Sequence, residues 1–384
     1  MVELELGTFD PSSSHKTVYL GFDTGSDLIW TQCEGCDECF HQVDPNYPAT
    51  QSYTYSELAC SECPEEECVG KTCRVKVLYG DGAKVVAILA RESLTFATTT
   101  DTPLTIEGVL FGCGIDMENF HEGDEENNRI SGMFGMSYGK YSFQAQKTDL
   151  VKGKFQYCLQ KKEAQELPPM YLRFGDDCIQ PGTPSSIPMF RHENSDFYYL
   201  EARGIQVNQK NLELPPDVFD IKPDGTGGFL IDTGSTVTFL ATKAFRVLVT
   251  ELAAQIEAKN SNLERLSNSA ARYEGFGLCY KRVREPTTFS LPWDILARYN
   301  GQVLDLFCSV LGYIGQVYLV RYNNARNIFK DSELFPFSQC NTNQTKRAVL
   351  GSVGRALVLT QQSASTVKCS NLPSTVGSLI PILF

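Results

Sequence analysis

Residues Phe22 to Trp30 read FDTGSDLIW, and residues Ile231 to Leu240 read IDTGSTVTFL. The shared D-T-G-S places Asp23 and Asp232 at 209 positions' separation. Each copy follows a glycine-containing apolar stretch, YLGF ending at Phe22 and GGFLI ending at Ile231. A lone D-T-G is no more than a strand-ending turn. Two copies with matching apolar flanks, half a chain apart, predict two similar lobes. In each copy the glycine lets the backbone turn sharply beside the carboxylate. The Thr and Ser hydroxyls are free to fix the loop and its acid.

If the lobes pack about an approximate two-fold axis, Asp23 and Asp232 meet on it. Two carboxylates that close cannot both ionise cheaply, so they share a proton and titrate as a pair. The ionised member is then suited to act as general base on a bound water. The protonated member can hydrogen-bond a carbonyl and pass its proton to a leaving group. The pattern leaves open which residue takes which part.

Most of the remaining sequence reads as β. Short runs rich in Val, Ile, Phe, Tyr and Thr are set off by Gly, Pro, Asn and Asp, as at 73–79, 85–96, 197–207 and 317–322. The best helix pattern is 242–258, with apolar residues at helical spacing and a Thr at its start. A second covers 142–151. The apolar stretch 303–320 is broken by Asp305, Gly312, Gly315 and Gln316, so two buried strands are expected there and no membrane span. The chain divides into a first lobe over 1–165, an inter-lobe connection over 166–190, a second lobe over 191–345 and an atypical tail over 346–384. That tail is Ser/Thr-rich and weakly periodic.

The chain has 384 residues, 42% of them hydrophobic and 21% charged, enough to bury a large core. A net charge of −12 argues against nucleic acid or an anionic membrane as partner, since both need a basic face. Fourteen cysteines, seven of them between Cys33 and Cys73, point to disulfides and an oxidising compartment. The sequon at Asn343 is in keeping with export. The first ten residues lack the basic start and apolar centre of a signal peptide, so a leader is expected to be missing from this chain. Cys33, Cys36 and Cys39, with His41 nearby, would in isolation suit a zinc or iron–sulfur site. The other cysteines follow no ligand spacing, and disulfides are the better reading. No metal or organic cofactor is expected. Four histidines leave cysteine–histidine catalysis open in principle, but none sits in a supporting motif.

The two D-T-G-S segments resemble the active-site loops of pepsin-like aspartic proteases. TQCEGCDECF, LACSECPEEEC, KTCRVKVLYGDG and FGCG then follow in an order similar to the plant nepenthesin-like branch, and the likeness runs from Val2 to Cys340. It implies a mostly β, bilobal fold of two pseudo-symmetric, six-stranded-barrel-like lobes with a cleft between them. It implies that Asp23 and Asp232 are the catalytic pair. Thr24 and Thr233 would brace the loops across the axis, and Ser26 and Ser235 would bond the carboxylates, with Gly25 and Gly234 at the turns. Tyr79, Gly80, Asp81 and Gly82 match the family's flap, although YGDG alone is only a hairpin-turn signal. Trp30 matches the tryptophan supporting the flap tyrosine, and Gly135 the segment beneath the first loop. The resemblance also implies the pairings Cys33–Cys36, Cys39–Cys113, Cys60–Cys73, Cys63–Cys68, Cys158–Cys340 and Cys279–Cys308. Cys178 and Cys369 match no pair.

The implied activity is hydrolysis of an extended peptide or unfolded protein at acidic pH by a monomer, in the extracellular space (apoplast) or vacuole. Two features depart from the family pattern. Only Ser309 and Val310 separate Cys308 from Leu311-Gly312, with Tyr313 where the family often has Asn or Asp. The 44 residues after Cys340 have no counterpart. The shortened second lobe favours an alternative, a non-catalytic protein on the same fold such as an inhibitor of microbial glycan-degrading enzymes. Both intact D-T-G-S motifs and the flap tyrosine favour the enzyme.

Overall fold

A computed structural model describes residues 1–10, 16–100, 102–120, 127–159, 170–178, 185–202, 204–207, 210–235, 240–259, 263–265, 280–282, 355–360, 363–368 and 380–382. The architecture is mostly β. The strand Lys16–Asp23 carries the first loop at its end. It pairs antiparallel with Val2–Leu6 and parallel with Ile130–Gly135, which sets Asp23 opposite Gly135. Alternate residues of Val2–Leu6 are buried, the period-two pattern of a strand with one face on the core. The chain then runs through Leu28 and Ile29 into the short strand Trp30–Gln32. This lies between Leu104–Glu118 and Ile130–Gly135 and is wholly buried.

An unbroken antiparallel path links the two lobes. Val2 pairs with Ile382, and Ile380–Ile382 with Met170–Leu172. Met170–Phe174 pairs with Lys154–Leu159, and that strand with Arg355–Thr360. Ser363–Lys368 follows, then Ser185–His192, then Ser195–Leu200, which pairs with Leu230–Ile231. The next residue is Asp232. Three strands of this path come from 346–384, the stretch set apart above as a tail. Their alternation is weak, but their backbone groups are paired on the path.

The helix Thr242–Lys259 packs Phe245, Leu248, Leu252 and Ile256 into a second core with Ile205 and Val207. The pattern at 142–151 is split into two short helices, Phe143–Gln146 and Thr148–Val151, because Lys147 leaves helical geometry between them. Ser142 caps the first, accepting from the Ala145 amide at 3.3 Å. No helix among the described residues is long and apolar enough to cross a membrane.

The disulfide pairing differs from that implied by the resemblance, although the eight cysteines concerned are all bonded. The bonds are Cys33–Cys113, Cys36–Cys39, Cys60–Cys68 and Cys63–Cys73, in place of Cys33–Cys36, Cys39–Cys113, Cys60–Cys73 and Cys63–Cys68. Register explains the first change. Trp30–Gln32 runs parallel to Leu104–Glu118 with Thr31 opposite Cys113. The Cys33 amide donates to Gly114 O at 3.1 Å, so Cys33 lies beside Cys113, with Cα atoms 5.5 Å apart. Cys36 and Cys39 then close their own turn. Cys178 is free and half-buried, and burial pushes its thiol up to about 12. Cys279, Cys308, Cys340, Cys369, Asn343, Leu311–Tyr313 and 317–322 lie outside the described residues.

Candidate active site

Both loops show the same local wiring. The Gly25 amide donates to Asp23 Oδ1 at 2.8 Å, and the Ser26 hydroxyl donates to Asp23 Oδ2. The Gly234 amide donates to Asp232 Oδ1 at 2.8 Å, and the Ser235 hydroxyl to Asp232 Oδ2 at 2.7 Å. Each carboxylate is therefore held from both oxygens by its own turn. Between the loops, the Thr24 amide donates to Thr233 Oγ1 at 3.0 Å. The Thr233 amide donates to Thr24 Oγ1 at 2.9 Å, and Thr233 Oγ1 reaches Phe22 O at 2.8 Å. These are the positions of a two-fold arrangement.

The glycines explain why the turns read D-T-G. A Cβ on Gly25 would lie 2.7 Å from all three carboxyl atoms of Asp232, and a Cβ on Gly234 would overlap Asp23 Oδ1. Each glycine is thus a notch for the opposite acid, a close approach that only the missing side chain permits. Asp23 and Asp232 thus face each other, each carboxyl set against the glycine of the other loop. Burial pushes the Asp23 carboxyl up to about 7, and the negative charge of Asp232 adds to this. Donation from Ser26 and Gly25 opposes it without cancelling it.

Gly135 closes the site from below. The Met136 amide donates to Asp23 O at 2.8 Å and the Ser137 amide to Ser26 O at 3.0 Å. A Cβ on Gly135 would strike the Asp27 carbonyl. Asp27, not singled out in the sequence, turns inward and accepts from the Tyr141 amide at 3.3 Å. Burial raises its carboxyl above the usual range.

The flap residues form the tip of the hairpin between Thr72–Leu78 and Lys84–Phe96. The Tyr79 amide donates to Ala83 O at 2.8 Å and the Gly82 amide to Tyr79 O at 3.1 Å. Asp81 Oδ1 accepts from the Ala83 amide at 2.9 Å, while Gly82 takes a φ of +96° that favours glycine. Trp30 Nε1 donates to the Tyr79 hydroxyl at 2.7 Å. Burial and the nearby Asp23 charge keep the Tyr79 hydroxyl protonated. Two rings that sequence reasoning passed over complete this wall. Phe120 meets Tyr79 and Trp30 edge-on, and Phe40 stacks on Phe120. Neither sits in a period or motif that marks it.

The arrangement presents two facing carboxyls, that of Asp23 raised to about 7, beside a hydroxyl-bearing flap. Such a pair can move a proton at each end of one reaction.

Comparison with known proteins places the chain among plant relatives. A family model described as xylanase inhibitor N-terminal matches residues 2–176, and one described as xylanase inhibitor C-terminal matches 197–293. Aspartic proteinase nepenthesin-2 of Nepenthes gracilis is 31% identical over 311 residues, which is 80% of this chain and 65% of that protein. Protein ASPARTIC PROTEASE IN GUARD CELL 2 of Arabidopsis thaliana is 32% identical over 286 residues, 72% of this chain and 56% of that protein. The chain thus spans less than two thirds of the length of these relatives. Among solved structures, that of edgp superposes with a TM-score of 0.56 at 14% identity, covering 96% of this chain and 94% of that one. Basic 7S globulin from soybean gives 0.56 at 15% identity, covering 97% of each. Identity that low speaks to a shared fold alone.

Proposed function

The chain belongs to the pepsin-like aspartic protease family and has its bilobal, mostly β fold, and from that premise we propose that it is an aspartic-type endopeptidase. The observation that carries this reading is the reciprocal fit of Asp232 against Gly25 and Asp23 against Gly234. In the proposed reaction the ionised member of the pair takes a proton from a water as its oxygen bonds to the scissile carbonyl carbon. The protonated member gives its proton to the carbonyl oxygen. The tetrahedral intermediate then collapses: the proton held by the first carboxyl passes to the leaving nitrogen, the C–N bond breaks, and the second carboxylate takes back one hydroxyl proton of the intermediate, which leaves as the carboxylic acid with the pair restored. Tyr79 and the hairpin tip cover an extended peptide or unfolded protein lying in the cleft between the lobes. The four disulfides among the described residues support work in an oxidising compartment, the extracellular space or the vacuole.

The test is cleavage of an unfolded protein near pH 4, with and without pepstatin, by wild type, Asp23→Asn and Asp232→Asn. Cleavage should be inhibited by pepstatin and fall at least about a hundredfold in either variant, with the fold retained. Turnover that survives in either variant removes the dyad. A second reading, a non-catalytic inhibitor of glycan-degrading enzymes, is favoured by the descriptions of the two matching family models. Folded wild type that cleaves nothing but inhibits a microbial xylanase would establish it instead.

A further inference from the structure

The cysteine-rich turn after Trp30 takes no part in the proposed chemistry, yet it delivers an aromatic ring to the flap. Gln32, fully covered, uses both ends of its amide on one residue. The Phe40 amide donates to Gln32 Oε1 at 2.8 Å, and Gln32 Nε2 donates to Phe40 O at 3.1 Å. The same Nε2 donates to Gln42 Oε1 at 2.6 Å. A side chain here makes the pair of bonds that a neighbouring strand would make for Phe40. The clamped ring stacks on Phe120, with centroids 5.2 Å apart and planes 26° apart, and meets Trp30 edge-on at 6.4 Å. Phe120 in turn stands edge-on to Tyr79 at 5.9 Å and to Trp30 at 5.4 Å.

Among the described residues, the hydrogen bonds of the hairpin tip are its own two backbone bonds, the Asp81 bond to Ala83, one donation from Asn119 Nδ2 to Gly82 O at 3.3 Å and the Trp30 Nε1 donation to the Tyr79 hydroxyl at 2.7 Å. The position of the tip therefore depends on what holds the Tyr79 ring. We infer that Phe40, clamped by Gln32, is a positioning residue that fixes the flap tyrosine through Phe120 and Trp30. The turn closed by Cys36–Cys39 thereby sets the resting position of the flap. The consequence for catalysis rests on the endopeptidase reading; the bracing itself does not.

Hydrogen exchange followed by mass spectrometry, together with peptide kinetics, tests this on wild type, Phe40→Leu and Phe40→Tyr. Phe40→Leu keeps an apolar side chain but loses the ring. Exchange at the amides of Tyr79, Gly82 and Ala83 should rise about fivefold, the size of one aromatic pair's contribution. Exchange over 18–22 and 131–135 should change less than twofold. The KM for an apolar peptide should rise by a similar factor, and Phe40→Tyr, which restores the ring, should return both readouts. Unchanged exchange at the tip in Phe40→Leu overturns the inference. So does a rise shared equally by 18–22 and 131–135, because that is general loosening. A wild type without peptidase activity would remove the endopeptidase reading, and the exchange comparison would still decide the bracing.

Discussion

Thr24 and Thr233 exchange hydrogen bonds across the lobe boundary, each backbone amide donating to the other's side-chain oxygen at 3.0 and 2.9 Å. Thr24 is buried and Thr233 half-buried, so water is a poor substitute for either hydroxyl. Thr24→Val keeps the shape and leaves the Thr233 amide without its acceptor. We expect each valine variant to lose about 1–3 kcal/mol of stability in denaturant titrations, the cost of one unsatisfied amide. Thr24→Ser, which keeps the oxygen, should lose much less. Peptide turnover should fall at least tenfold in the valine variants, since the bonds that fail are those that align the acids. Equal stability of Thr24→Val and Thr24→Ser would argue against the exchange.

The raised Asp23 carboxyl gives stability a pH dependence of known sign. Its folded value near 7 stands above the ordinary 3.8, so the folded site prefers the neutral acid. The corresponding stabilisation is complete below about pH 4 and lost as pH climbs through about 7. Unfolding free energies measured from pH 4 to pH 8 should therefore decline more steeply for wild type than for Asp23→Asn. The difference should be at most about 4 kcal/mol, the ceiling set by a shift of this size. Parallel profiles for the two proteins would sink the assignment.

The disulfide framework can be read directly. Peptide mapping without reduction should recover Cys33 linked to Cys113, Cys36 to Cys39, Cys60 to Cys68 and Cys63 to Cys73. Replacing Cys33 and Cys113 together by Ala opens a loop with a sequence separation of 80 and should cost about 4 kcal/mol. Recovery of a Cys39–Cys113 peptide would restore the pairing implied by family resemblance.

Much of the site was legible in the sequence because it rests on local chemistry written twice. The D-T-G-S repeat specifies turn, hydroxyl and acid within four residues, and the YGDG tip specifies its own bend. The 242–258 helix announced itself through spacing, and the structure extends it by one residue to Lys259. Disulfide partners were not legible, because they follow from sheet register between segments far apart, as with Thr31 opposite Cys113. Phe40 and Phe120 were invisible for the same reason: each is a lone aromatic whose partner is supplied by folding. The strands at 355–360 and 363–368 alternate too weakly to be marked, and their pairing depends on neighbours contributed by both lobes.

Gly25 offers a sharper test of the dyad than the acids themselves. In Gly25→Ala the new methyl group strikes the Asp232 carboxyl, which is pinned by Ser235 and the Gly234 amide and cannot swing aside freely. Hydrolysis should fall a hundredfold or more, while the thermal midpoint drops only a few degrees, because the clash falls on a reacting group at the cleft. Retained hydrolysis in Gly25→Ala would mean that the carboxyls tolerate more separation than the proposed proton shuttle allows.

The reciprocal notches also tie the fate of each lobe to its twin. A side chain gained at the turn of one half disables the acid of the other, so neither half can change there alone. Chimeras that join one lobe of this chain to the matching lobe of a relative should work only when both turns keep their bare backbone. The matched glycines act as a compatibility code between halves.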